Sequence, residues 1–149
     1  MNPLLYVIIL SISPFFELRG AIPTGIALGL DPAFVFVVSV AINILIIPIL
    51  FFILDQIFDE ITFIHKLADR IHNRAEKYVE KYGYIGLMLF VSVPLPGSGA
   101  YSGSIVAHLF EMERKKSMVA IAAGVLIAGT IITLASTGAL AFAKIFILK

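Results

Sequence analysis

The sequence predicts an all-α integral membrane protein of two inverted repeats. Each repeat is a re-entrant helical hairpin followed by a transmembrane helix, and an amphipathic helix joins the two. Three observations predict this: a composition too apolar for a water-facing surface, one order of segments used twice, and positive charge gathered on two connections.

The composition comes first. Of the 149 residues, 60% are hydrophobic and 14% charged, with a mean hydropathy of +1.02. Soluble domains are roughly 45–50% apolar and about 25% charged, because a water-facing surface has to be covered with polar groups. Lipid is therefore the expected solvent, and backbone polar groups must be satisfied within helices or against other protein. With no cysteine, disulfides and thiolate chemistry are excluded. The first apolar run lacks a basic leader and a small-residue cleavage site, so it is expected to belong to the mature chain.

Residues 33–54 form the clearest span. At a helical rise of about 1.5 Å these residues reach about 33 Å, enough for a hydrocarbon core of about 30 Å. Asp31-Pro32 supplies an N-cap acid and a proline at the first helical position. Asn43 and Pro48 interrupt the span, and a proline kink is tolerated where neighbouring helices re-satisfy the backbone. Residues 117–143 form the second span. Its small residues Ala120, Gly124, Ala128, Gly129, Thr133 and Thr137 suit close helix packing.

Between the spans the texture changes. From Asp55 to Tyr82 apolar positions step by three or four, and the other face carries charges including Asp59, Glu60, Lys66, Arg70, Arg74 and Lys77. That is an amphipathic helix, 55–82, stopped by Gly83 and suited to a membrane surface. His65 and His72 lie among these charges and read as part of a solvated face rather than as metal ligands.

The other apolar stretches, 3–16 and 84–94, are too short to span. Each meets a break, Pro14 to Pro23 and Pro94 to Ser104, and each resumes as a short helix, 20–30 and 103–110. Each pair is either one broken span or a re-entrant hairpin. "GAIPTGIALGL" (20–30) and "GAYSGSIVAHL" (99–109) share Gly-Ala, Ile and Leu at equal offsets, and each leads through a polar turn into a long span. The unit is thus used twice, which points to a duplication. The hairpin arrangement puts 55–82 and 111–116 on one side with eight of the eleven Lys and Arg, and the positive-inside rule makes that side cytoplasmic. The expected organisation is a single membrane domain, 1–149, with repeat one at 3–54, the connecting helix at 55–82 and repeat two at 84–143. It would lie in the cell (plasma or inner) membrane as a multi-pass protein.

Glu17 and Arg19 carry the first candidate chemistry. Charges at mid-membrane are costly, face protein or a water-filled cavity, and mark pathways. The alternative is an ion pair that only pins the hairpin. Positions i and i+2 of a regular helix point apart, so a direct pair needs a broken backbone, which Gly20 and Pro23 permit. Glu17 can take up and release a proton. Arg19 stays charged and suits an anion. The second break, with Pro94, Pro96, Gly97, Ser98, Gly99, Tyr101, Ser102 and Gly103, offers converging backbone N–H groups and a helix N-terminus near Ser102. Tight packing of a hairpin tip is the competing reading. Asn43 is placed to bond across to the hairpin or to line the site. His108 and Glu111 close the second hairpin at an interfacial position.

"ELRGAIP", "YGYIGLMLFVSVPLPGSGAYSGSIVA" and the basic "ERKKS" together resemble the small multidrug export protein family over essentially the whole chain. Through it the chain is similar, more distantly, to the DedA superfamily, whose members share two re-entrant hairpins and move lipid-linked phosphates or phospholipids. Phe16-Glu17 followed by Pro23 is similar to the first DedA hairpin, and Pro94-x-Pro96 followed by Gly103 to the second. Two features depart from that pattern: Ser98 and Gly99 stand where DedA proteins carry an arginine, and Thr24-Gly25 stand in place of a second acid.

Taken together, the expected function is a small secondary transporter, proton-coupled, for a lipophilic or lipid-linked anion or, as the family label suggests, small drugs. The alternatives are an energy-independent scramblase or channel and a non-transporting scaffold. The expected partners are membrane lipids, a small-molecule or lipid-phosphate substrate, protons and a second copy of the chain, with no nucleic acid. No nucleophile–base pair or metal-ligand spacing stands out, so neither enzymatic activity nor a cofactor is expected.

Overall fold

The computed structural model describes residues 2–57, 62–95 and 97–147. Pro96, Asp59, Glu60 and Lys149 lie outside the described residues, as do the side chains of His65, Lys66 and Lys144. Six helices and no strand occur among the described residues: α1 (Pro3–Ile12), α2 (Glu17–Ala27), α3 (Pro32–Ile57), α4 (Thr62–Ser92), α5 (Ala100–Leu109) and α6 (Arg114–Ile147).

Two of these helices are long and apolar enough to cross a membrane, over Pro32–Gln56 and Arg114–Ala141. The Asp31 carboxylate accepts the Phe34 N–H at 2.9 Å, so the expected N-cap starts α3. Helix α3 then continues through Pro48. Close packing uses the small residues. A methyl group on Gly124 would collide with the Met88 carbonyl and Val91 of α4, and one on Gly129 with Val40 and Phe36 of α3. Ala120 and Ala128 are buried in the same seam, while Thr133 and Thr137 are half-buried.

Helix α4 is bent rather than straight. Gly83 has φ +56 and ψ −126, a conformation open to glycine and strained for other residues. The bend is tight enough that a Cβ on Gly86 would overlap the Tyr78 carbonyl. The amphipathic half and the apolar half therefore face one another across the corner. His72, expected on a solvated face, is half-buried and stacks on the Phe110 ring with centroids 4.7 Å apart. Apolar burial of the imidazole face against the end of α5 overrides the polar pattern around it.

The order of a short apolar helix, a break, a short helix, a turn and a long helix occurs twice, at α1–α3 and again from the apolar half of α4 to α6. Its register differs from the sequence match. Helix α2 closes with Leu28, Gly29 and Leu30 N–H groups on the Thr24, Ile26 and Gly25 carbonyls, and α5 closes with Phe110, Glu111 and Met112 on Val106, His108 and Ala107. These closures lie 82 positions apart (28 to 110), and the positive φ at Gly29 recurs at Glu111 in the same register. The shared Gly-Ala is 79 positions apart (20 to 99), so the matching letters sit almost one helical turn out of structural step.

The buried core runs through Leu18 and Ile22 of α2, Leu87 and Val91 of α4, Val106 of α5 and Ile121 of α6. The short helices thus pack against the long ones, while Phe15 and Phe16 of the first break and Leu95 of the second stay exposed.

Candidate functional site

Glu17 opens α2 rather than preceding it, and its φ is +49. A left-handed turn at a residue with a side chain costs roughly 1–2 kcal/mol, and such strain collects at functional sites. This turn puts Glu17 and Arg19 on one side: Arg19 Nη1 donates to Glu17 Oε2 at 2.7 Å. The broken backbone required for a pair at i and i+2 therefore lies at Glu17 itself. Gly20 and Pro23, expected to permit the break, both stand inside α2.

The pair is anchored on the end of α4, the break after it and the start of α5. Arg19 Nη2 donates to the Val91 and Val93 carbonyls, both at 3.0 Å, and to the Ser98 hydroxyl at 3.2 Å. Glu17 Oε1 accepts the Tyr101 backbone N–H at 3.1 Å. The Tyr101 hydroxyl donates to the Ile12 carbonyl at 2.5 Å, and the Ser98 hydroxyl donates to Val93 and Leu95 carbonyls. Three of these contacts meet a helix end, at the Ile12 carbonyl of α1, the Val91 carbonyl of α4 and the Tyr101 N–H of α5, and the others fall in the break after α4. The cation lies on the carbonyls ending α4 and the anion on the N–H groups opening α5, which is the arrangement the two helix dipoles favour.

The cluster is enclosed: Glu17 is 5% exposed and the Arg19 side chain 13%. Gly99 makes room for it, since a Cβ there would overlap the Glu17 carboxylate and crowd Arg19 Nη1. Among the described residues the buried Arg19 Nε has no hydrogen-bond partner, so the guanidinium keeps one donor. The arrangement can hold a proton on Glu17, and an anion between Arg19 and the start of α5.

The remaining candidates are placed as follows. Helix α5 begins at Ala100, capped by Gly99, so the N-terminus expected near Ser102 comes two residues earlier. Ser102 and Gly103 are buried inside α5, with Gly103 against Val91 and Ile121. Gly97 turns the break with φ +79, and Pro94 is exposed. Pro23 stands away from the cluster, lining a separate pocket of 360 Å³ with Ala27 and Ala135. Asn43 reaches α1, donating to the Ser11 carbonyl at 3.2 Å, and bonds within α3 to the Ser39 carbonyl at 2.9 Å.

A pocket of 580 Å³ adjoins the cluster through Val93 and Ser98, with Arg74 and Lys77 on its opposite wall. These two cations read from sequence as part of a solvated face. The signal that would have placed them, the direction of the bend at Gly83, is absent from any periodicity. A second polar group lies where α3, α5 and α6 meet: Asp55 pairs with Arg114 and faces His108 at 3.8 Å. Among the described residues no three His, Cys, Asp or Glu side chains gather as metal ligands do.

With this geometry in view, residues 17–131 match the family model described as "Putative small multi-drug export protein". The chain belongs to that family. The matched stretch contains the Glu17–Arg19 pair and its partners on α4, the second break and α5. Family membership and the two long apolar helices together make this a membrane protein, and the family's description is that of an exporter. No curated protein and no solved structure matches the chain.

Proposed function

We propose that the chain is a small proton-coupled secondary transporter of the cell membrane, carrying a lipophilic or lipid-linked anion between two re-entrant hairpins. The observation that carries this reading is the buried Glu17–Arg19 pair at the meeting point of the two helix breaks, cross-bonded to the ends of α4 and α5. Helices α1, α2 and α5 have 10, 11 and 10 residues, each about half a bilayer core long. That length supports hairpins that enter and leave on one side, and the twice-used order of elements supports an inverted pair.

In this mechanism the ionised Glu17 stands where the substrate anion binds. Its carboxylate fills the α5 N-terminus and neutralises Arg19. Protonation removes that charge, and an anionic group then takes the Tyr101 N–H and the Arg19 guanidinium in its place. The proton and the anion bind together, and neither charge stays uncompensated. A second copy of the chain completes the walls of so small a body.

Reconstitution in liposomes tests the proposal, with a panel of lipid phosphates and lipophilic drugs, each with and without an uncoupler. Glu17→Gln is expected to uncouple flux from the proton gradient, and Arg19→Ala to abolish it. Unchanged flux in both variants would falsify the assignment, while full wild-type flux in the presence of uncoupler would point to a scramblase or channel.

A further inference from the structure

We infer that the pocket between the amphipathic half of α4 and the second break is a binding site for an amphipathic organic anion. Its role as the place where substrate enters rests on the transport reading proposed above. The pocket measures 580 Å³, within the roughly 300–1,000 Å³ of small-molecule sites. One wall carries Arg74 and Lys77, and among the described residues no acidic side chain lines the cavity. Neither cation takes part in an ion pair among the described residues. Tyr78 lies beside Lys77, whose ammonium stands 5.1 Å over its ring, and the facing wall is apolar, with Phe90 and Leu95.

Two adjacent cations without a counter-ion select a negative group, and the aromatic and aliphatic wall suits a ring or chain attached to it. Val93 and Ser98 line the floor, and both are hydrogen-bonded to Arg19 Nη2. An anion held by Arg74 and Lys77 thus lies one layer of backbone from the buried guanidinium. The site exists because Gly83 folds the charged face back over the break.

Calorimetric titration of the detergent-solubilised protein tests this directly, using naphthalene-1-sulfonate and, as a control of equal shape and opposite charge, protonated 1-naphthylmethylamine. The sulfonate is expected to bind and the amine not to. Arg74→Gln and Lys77→Gln are each expected to weaken the sulfonate roughly tenfold, the scale of one charge-assisted hydrogen bond. Both positions are exposed on α4, and an unchanged thermal unfolding curve verifies folding. Equal binding of the amine, or undiminished sulfonate binding by the double variant, overturns the site. Repeating the titration in nanodiscs with and without phosphatidylglycerol separates the two sources of such an anion. Competition identifies a lipid headgroup and its absence a free organic anion. Because binding is read without transport, a negative result removes this pocket and leaves the liposome test of Glu17 and Arg19 standing.

Discussion

Glu17 and Tyr101 stand 84 residues apart, and the Glu17 carboxylate caps α5, accepting the backbone N–H of Tyr101, the second residue of that helix, at 3.1 Å. A side chain that caps α5 is thus supplied by α2, far away in the sequence. Arg19 does the converse for the end of α4. Buried backbone groups need such partners, so one ion pair ties α2 to the end of α4 and the start of α5.

Removing both charges should therefore cost less than the sum of removing each. Glu17→Gln keeps an acceptor for the Tyr101 N–H but leaves Arg19 buried without its counter-ion, an expected loss of about 3 kcal/mol. In Glu17→Gln with Arg19→Met the second substitution removes the stranded charge, so the two losses should fall short of adding by about 1–3 kcal/mol. Reversible unfolding in mixed micelles measures the four corners of this cycle. Strict additivity would show that the pair contributes no coupling.

Gly99→Ala should disrupt the cluster, because its Cβ would overlap the Glu17 carboxylate. The backbone of α5 and the strained Glu17 leave little room to yield. Gly138→Ala is the matched comparison: nothing lies within 4 Å of its Cβ position, and alanine in a helix gains up to about 1 kcal/mol over glycine. Midpoints of thermal unfolding moving in opposite directions are the expected outcome. Equal shifts would mean that the contact at Gly99 is unimportant.

How far the sequence discloses this site depends on what kind of signal each part leaves. The charges announce themselves because Glu17 and Arg19 interrupt an apolar run, and the spans through length and apolarity. The Asp31-Pro32 start of α3 follows from capping chemistry alone. The Val91 and Val93 carbonyls that hold Arg19 leave no trace, since backbone groups are the same at every residue. Periodicity correctly makes Arg74 and Lys77 polar-face residues, yet only the corner at Gly83 decides what that face looks upon. The repeat misleads by a turn, because Gly-Ala letters align while the helix ends and caps obey a register three residues longer.

Asn43 and Ser39 should respond differently although both are buried. Asn43 satisfies the Ser11 carbonyl, one of the last in α1 and left without an intrahelical partner. Asn43→Leu strands that acceptor at an expected cost of about 1–3 kcal/mol. The Ser39 hydroxyl has no hydrogen-bond partner among the described residues, so Ser39→Ala should be neutral or slightly stabilising. Unfolding midpoints of the two variants give the comparison, and a destabilised Ser39→Ala would assign that hydroxyl a partner.

The proposed topology places Asp31 and Glu113 on opposite sides of the membrane, although each immediately precedes a long apolar helix in the same local setting. Re-entrant hairpins return the chain to the side it came from, so α3 alone carries it from one face to the other before α6 carries it back. The charge distribution supplies the direction: Arg114, Lys115 and Lys116 follow Glu113, while none of the residues flanking Asp31 is basic. The chain has no cysteine, so single cysteines introduced at these two positions report without background. Asp31→Cys is expected to react with a membrane-impermeant maleimide in intact cells, and Glu113→Cys only after the membrane is opened. Labelling of both from the same side would mean that the short helices cross fully, and the hairpin arrangement, with the transport path drawn through it, would fall.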